Sequence, residues 1–267
     1  MIRSRSVTVL VRRHDGDGGA DRQQRSPDAL AVEEPMEIRL DGHLVATTMR
    51  TPGHDYELAV GWCHTGGLLG GAPVSGVRYC ATGAAATTAF NVVTVETGGH
   101  APVPTPRLTT VTSSCGLCGA DNLTELSSRL APLPAGPDIP LAILATLPER
   151  VRPLQELFAT TGGVHAAAAF AVDGTPLVVR EDVGRHNAVD KVVGRLLLDG
   201  ALPATDRGLF VSGRASFELV QKAWAAGFTT MVAVSAPTAL AVDAARAANL
   251  RLVGFVRPGR ANVYAPA

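Results

Sequence analysis

The sequence predicts an α/β protein in which a smaller N-terminal α+β part precedes a layered C-terminal α/β part. Three observations carry this expectation. From Gly163 onward, short apolar runs alternate with segments of helical period, the pattern of a largely parallel sheet covered by helices. Ala131–Pro140 holds four prolines and one glycine in ten residues, a linker composition that separates a unit at 1–130 from one at 141–267. Ahead of it, Asp41-Gly42 sits between Met36–Leu40 and Leu44–Met49, a strong hairpin signal because Asp-Gly accepts the positive φ angles of a type I′ turn.

Taken in order, the first element is a short strand at Ser6–Arg12, and the polar, Gly-rich residues 14–30 read as a flexible loop. After the hairpin, Thr51-Pro52-Gly53-His54-Asp55 breaks the extended chain and caps a helix starting near Tyr56. Strands follow near Val74–Cys80 and Phe90–Val95, then the Pro-rich Ala101–Pro106. A helix at Pro148–Ala159 opens the second part, with Pro148 in its first turn. Val164–Val172 and Pro176–Arg180 are strands around Asp173-Gly174. Val189, Val192, Val193, Leu196 and Leu197 give Asn187–Leu198 a helical face. Strand Gly208–Val211, helix Phe217–Ala226, strand Thr230–Val234, helix Thr238–Ala248 and strand Arg251–Val256 complete the alternation, with Gly200 and Gly227 closing their helices.

Composition narrows the function classes. The chain has 267 residues, and its 24 Lys plus Arg balance 24 Asp plus Glu. It therefore carries no global electrostatic footprint for nucleic acid or an anionic membrane. Aromatic residues make up 4% of the chain, too few for a base-stacking platform. No apolar run approaches the roughly 18 residues that span a bilayer. The stretch Val7–Val11 is too short for a signal-peptide core, so a cytoplasmic protein is expected. Four cysteines in a chain of this size do not make a disulfide framework.

Ser113-Ser114-Cys115-Gly116-Leu117-Cys118-Gly119 is the most informative segment. Two cysteines separated by two residues suit disulfide exchange, and equally suit two ligands on one metal. Flanking glycines leave room for a bulky partner near the sulfur. Ser114 or Asp121 would cap a following helix, whose N-terminus lowers a thiol pKa. A zinc site would need Cys63 and Cys80 as further ligands, yet these are not a second C-x-x-C and fall in a helix and a strand. A thioredoxin-like role lacks its β-α-β setting. Spacing alone leaves zinc and thiol chemistry both open.

In the C-terminal part, three strand-to-helix connections are polar: Arg180–Asn187, Ser212–Ser216 and Ser235–Thr238. Each alone reads as helix capping or a surface ion pair. Three on one sheet edge point to a shared pocket for an anionic ligand, with Arg214 suited to phosphate and His165 at the entrance to a neighbouring strand. No Walker loop and no G-x-G-x-x-G is present, which disfavours an ordinary ATPase or dehydrogenase.

Glu34–Arg39, Met49–Asp55, Ser113–Gly119, Thr161–His165, Arg180–Lys191, Ser212–Lys222, Val234–Val242 and Gly254–Tyr264, in that order along nearly the whole chain, resemble the FdhD family. These are sulfurtransferases that assist formate dehydrogenase maturation. The resemblance implies a cytidine-deaminase-like α/β fold and a homodimer. It implies a sulfur carrier that takes persulfide sulfur from a cysteine desulfurase and passes it to the molybdenum bis(molybdopterin guanine dinucleotide) cofactor of the formate dehydrogenase apoenzyme. That cofactor is a bound substrate, and no catalytic metal of the chain's own is implied. Cys115 matches the persulfide-bearing cysteine, with Cys118 its partner. Phe255, Val256, Arg257, Pro258, Gly259 and Arg260 match the family's cofactor-binding stretch. On this basis the guanine-nucleotide phosphates are expected to meet Arg214, Arg257 and Arg260, with docking at Ser212, Gly213, Asp182 and His186. His165 or His186 would shuttle protons. One departure stands out: Thr65-Gly66-Gly67 replaces the usual Thr-Glu-Gly after the first helix. The zinc machinery of deaminases is missing, since no His-x-Glu precedes a Pro-Cys-x-x-Cys.

Overall fold

The computed structural model describes residues 4–14, 23–80, 91–104 and 120–265. Strands β1 (Ser6–His14) and β2 (Gln23–Ala31) form an antiparallel two-stranded ribbon. The loop expected over residues 14–30 is thus corrected for its second half. Pro27 lies opposite Leu10 in the ribbon, and with Val7, Leu10 and Leu30 exposed the ribbon has no fully buried face. A strand without a core face shows no apolar alternation to read.

The expected hairpin forms from β3 (Glu34–Leu40) and β4 (His43–Arg50), with Asp41 at φ 46° and Gly42 at φ 86°. With β5 (Gly76–Tyr79) and β6 (Val92–Glu96) they build a four-stranded sheet in the order β4-β3-β6-β5. Helix α1 (Asp55–Thr65) covers one face, burying Leu58, Ala59 and Cys63 against Met36, Ile38, Leu40, Val93 and Val95. Burial there, with the Asp190 and Asp41 charges, pushes the Cys63 thiol up to about 12. Gly67 (φ 71°) ends α1 in a Schellman motif, Leu68 N–H bonding Cys63 O and Gly67 N–H bonding His64 O. The departure at Gly66 leaves this end intact, because Gly66 itself has ordinary right-handed angles.

Helix α2 (Ala120–Arg129) sets Leu126 into the C-terminal core. Helix α3 spans Leu141–Val151 with Pro148 inside it, and a 3-10 turn at Arg152–Leu154 leads to α4 (Glu156–Thr161). The helix expected at Pro148–Ala159 is therefore corrected. Burial of Leu144, Leu147 and Val151 on the sheet decides the boundaries over the local preference of proline.

The C-terminal sheet contains β7 (His165–Phe170), β8 (Pro176–Asp182), β9 (Gly208–Val211), β10 (Thr230–Ala233), β11 (Arg251–Arg257) and β12 (Arg260–Ala265). Their order is β12-β11-β10-β9-β7-β8. Only β9-β10-β11 pair in parallel; β7, β8 and β12 pair antiparallel, so the largely parallel sheet expected is a mixed one. The unforeseen β12 returns through a Pro258-Gly259 turn as an edge strand. Alternate residues split the core into two layers. Ala167, Ala169, Leu209, Val211 and Met231 face α5 (Arg185–Leu198), α6 (Phe217–Ala225) and α7 (Ala239–Ala247). Ala168, Phe170, Phe210, Val232 and Val253 face α3. Gly200 and Gly227, both at positive φ, close α5 and α6 as expected.

The N-terminal sheet joins this body where α1 crosses α5. A Cβ at Gly61 would collide with the Asp190 carbonyl oxygen, and one at Gly194 with the Glu57 carbonyl oxygen. Among the described residues no helix is long and apolar enough to cross a membrane.

Candidate functional site

The chain direction of β8 through β11 places four strand C-termini, and the N-terminus of β7, on one edge of the sheet. His165 starts β7 directly opposite Asp182, the last residue of β8. Pairing continues past the strand ends and stitches the loops together. Ser212 N–H bonds Ala166 O at 2.9 Å, and Ser212 Oγ accepts from Ala166 N–H at 2.9 Å. Ser235 N–H bonds Gly213 O at 3.1 Å, Ala215 N–H bonds Ala236 O at 3.2 Å, and Phe255 N–H bonds Ser235 O at 3.2 Å. These bonds bring His165, Asp182, His186, Ser212, Gly213, Arg214 and the β11–β12 turn to a single edge.

Their individual roles differ. Asp182 is fully buried: Oδ2 meets Lys191 Nζ at 2.7 Å and Thr51 N–H at 3.1 Å, while Oδ1 accepts from Gly184 N–H at 2.8 Å and Asn187 Nδ2 at 3.0 Å. It offers no free oxygen to a ligand and instead fixes the turn that presents α5. Burial lowers the Lys191 pKa, and the Asp182 charge opposes that effect. His186 Nε2 stands 3.5 Å from Ser216 Oγ and 3.9 Å from Glu218 Oε2. A hydrogen bond from His186 holds the Glu218 carboxyl at about 2 against its burial. Burial, then the Arg185 and His186 charges, lowers the His165 pKa and favours its neutral, acceptor-capable form.

Arg214 is exposed, as are Arg257, Pro258, Gly259 and Arg260 on the turn. Arg257 reaches the Val234 carbonyl at 3.5 Å. Phe255 holds its partly exposed ring on a backbone at φ 51°, a conformation rare for a bulky residue, between Gly254 and the turn. Val256 points the other way into the core.

Beside this edge lies an open cleft of about 680 Å³. His165 and Ser212 line it, and so do Glu149, Arg152, Gln155 and Phe158 from the α3–α4 segment. Sequence reasoning missed these four, since the expected continuous helix made them unremarkable surface positions. The Arg152 guanidinium lies 4.3 Å from the Phe158 ring centroid. Glu181 fixes this wall by accepting the Leu157 and Phe158 N–H groups at 2.9 and 2.8 Å, so the carboxylate caps α4.

The motif Ser113–Gly119, with Cys115 and Cys118, lies outside the described residues. Of the other cysteines, Cys63 is sealed in the N-terminal core and Cys80 is half-buried, its sulfur 2.8 Å from Thr94 Oγ1. Among the described residues no group of three or more His, Cys, Asp or Glu is placed to hold a metal ion.

The family model described as FdhD/NarQ matches residues 31–267. A relative from Nocardia farcinica, called sulfur carrier protein FdhD, is 50% identical over 247 residues, covering 91% of this chain and 88% of its own. One from Anaeromyxobacter dehalogenans with the same name is 46% identical over 263 residues, covering 93% and 89%. A solved structure of a formate dehydrogenase accessory protein from Desulfotalea psychrophila superposes with a TM-score of 0.74 at 23% identity, covering 98% of both chains. It shares the fold, and the α/β class expected from the sequence holds. With nearly the whole length matched by the family model and by relatives at about half identity, the chain belongs to the FdhD/NarQ family.

Proposed function

We propose that the chain is a sulfur carrier that prepares the molybdenum bis(molybdopterin guanine dinucleotide) cofactor for formate dehydrogenase. The observation that carries this reading is the pairing of a C-x-x-C with a phosphate-suited sheet edge in one chain. Arg214, Arg257 and Arg260 are exposed beside loops stitched across three strand ends. The names borne by the relatives support it. The cofactor enters as substrate.

Cys115, as thiolate, attacks the terminal sulfur of a persulfide on a cysteine desulfurase; the desulfurase leaves as thiolate and Cys115 carries the persulfide. Attack of the Cys118 thiolate on the Cys115 sulfur then releases hydrosulfide toward the cofactor and leaves a Cys115–Cys118 disulfide, which a cellular thiol must reduce. At the sheet edge the three arginines meet the nucleotide phosphates. Ser212 and Gly213 line the approach, while Asp182 acts by holding the α5 turn. His165 or His186, both partly buried at this edge, moves protons there. We place this work in the reducing cytoplasm, in a homodimer that meets both the desulfurase and the apoenzyme.

The test is mass spectrometry of the Leu108–Arg129 tryptic fragment after incubation with a cysteine desulfurase and cysteine without added reductant. A gain of one sulfur atom, absent in Cys115→Ala and kept in Cys118→Ala, is expected. No gain while the desulfurase is active would sink the carrier mechanism and favour a thiol-independent cofactor chaperone or a zinc-stapled module, the latter readable by metal analysis.

A further inference from the structure

A two-stranded ribbon by itself is marginal in water, and a third strand or a packed apolar face is what makes such a unit stable. Among the described residues β1 and β2 pair only with each other, and Val7, Leu10 and Leu30 stay exposed. The ribbon is tied to the body at its base. Val32 N–H bonds Arg5 O at 2.9 Å, Arg5 stands 3.7 Å from Glu181, and β2 runs beside α4. Its two outer edges are not equivalent.

The Val32–Arg5 bond continues the register that sets Ser6 opposite Ala31, so it fixes which residues point inward. Val7, Val9 and Val11 bond β2, while the backbone N–H and C=O groups of Ser6, Thr8, Leu10 and Arg12 point outward. On β2 the outward positions are Ala31, Ala29, Pro27 and Arg25. Proline has no N–H to offer, and Pro27 blunts the middle of that edge. β1 carries neither proline nor lysine, and its run Val7-Thr8-Val9-Leu10-Val11 has strong β propensity. It presents an intact edge about 30 Å long with no ladder partner among the described residues.

The edge is complementary to itself. An antiparallel partner must set outward groups against outward groups, which limits one β1 against a second β1 to even shifts. In the full-length register Ser6 lies opposite His14, Val7 opposite Arg13, Thr8 opposite Arg12 and Val9 opposite Val11. Leu10 then falls on a twofold axis opposite its own copy. No like charges stand directly opposite, and Leu10, at 73% the most exposed of the ribbon's large apolar residues, gains an apolar neighbour. A two-residue slip one way would set Arg13 against Arg5; the other way it would leave Ser6 and Val7 unpaired.

We propose that two copies of this chain join edge to edge through β1, making a four-stranded sheet in the order β2-β1-β1-β2 about a twofold axis at Leu10. Such an interface uses the same surface on both copies. The inference rests on the homodimer of the proposed function and names the surface that forms it.

Sedimentation velocity of the full chain over a concentration series tests this by reading the dimer dissociation constant. Leu10→Lys and Leu10→Glu should each weaken the wild-type dimer by roughly tenfold or more, because two like charges then meet on the axis. An equimolar mixture of the two variants should restore dimers, since Lys meets Glu. Val103→Lys, an equally exposed apolar position outside the ribbon, should leave the dimer unchanged. Circular dichroism should be the same for all variants, as Leu10 supports no core. A dimer that persists unchanged in both Leu10 variants would overturn β1 as the surface while leaving the homodimer intact. Weakened variants that mixing does not restore would overturn the axis at Leu10. A wild-type chain that stays monomeric at every concentration would overturn the homodimer and this pairing with it.

Discussion

Asp182 ends a strand at the proposed ligand edge, and in the linear chain it reads as a group at which the cofactor docks. Folded, its two oxygens meet four donors, one of them the Thr51 N–H, 131 positions away. The sequence shows a polar residue at a strand end; it does not show whether the partner is a ligand, water or distant backbone. Gln155 makes the opposite case, a residue with no motif around it that becomes notable only because burial leaves its amide unpaired. For Asp182 the two roles separate experimentally. Asp182→Asn removes the charge facing the buried Lys191 and strands that cation, which should cost about 3–5 kcal/mol of folding free energy. Urea denaturation is expected to show the loss, while the protein that remains folded still binds GDP. A fully stable Asp182→Asn that no longer binds GDP would restore Asp182 as a direct ligand group.

Among elements, those with a local signal were legible. The Asp41-Gly42 hairpin, the alternation from β7 to β11 and the glycine ends of α5 and α6 follow from turn chemistry and period, which act within a few residues. β2, β12 and the α3 boundaries were not, because a ribbon without a core, an edge return and a proline overruled by packing are decided by tertiary neighbours. The α1–α5 crossing belongs to the same class. Gly61 and Gly194 look like weak points in two helices, each unfavourable relative to alanine by about 1 kcal/mol of intrinsic propensity. The fold keeps them because each helix backbone lies where the other's Cβ would be. Gly61→Ala should therefore destabilise by about 1–3 kcal/mol despite its better helix propensity, read as a lower urea midpoint with an unchanged slope. Stabilisation by the alanine would mean that the helices sit farther apart than this crossing requires.

At the scale of the whole molecule, the Pro-rich composition of residues 131–140 predicts a division of the chain, and the bonds that cross it decide whether the two sides would unfold separately. Glu57 on α1 holds Arg180 on β8 through two hydrogen bonds of 2.5 and 2.8 Å, and these hold its carboxyl at about 2 despite burial. Lys222 on α6 binds the Asp190 carboxylate at 2.8 Å and Thr65 at the end of α1 at 3.0 Å. Lys191 on α5 reaches the Thr51 carbonyl at 3.0 Å, and His64 donates to Ala225 O at 3.2 Å. Separating the two parts would break the Glu57–Arg180 pair and strip Asp182 and Lys191 of their Thr51 bonds and Asp190 and Lys222 of Thr65, at a cost of about 3–5 kcal/mol for the broken ion pair alone. Leu126 of α2 would leave the C-terminal core as well. Neither part can therefore open while the other stays native. Differential scanning calorimetry should show one transition whose calorimetric and van 't Hoff enthalpies agree. Two resolved transitions would mean that the polar seam between α1 and α5 is weaker than either core, and that residues 1–130 fold as an independent domain.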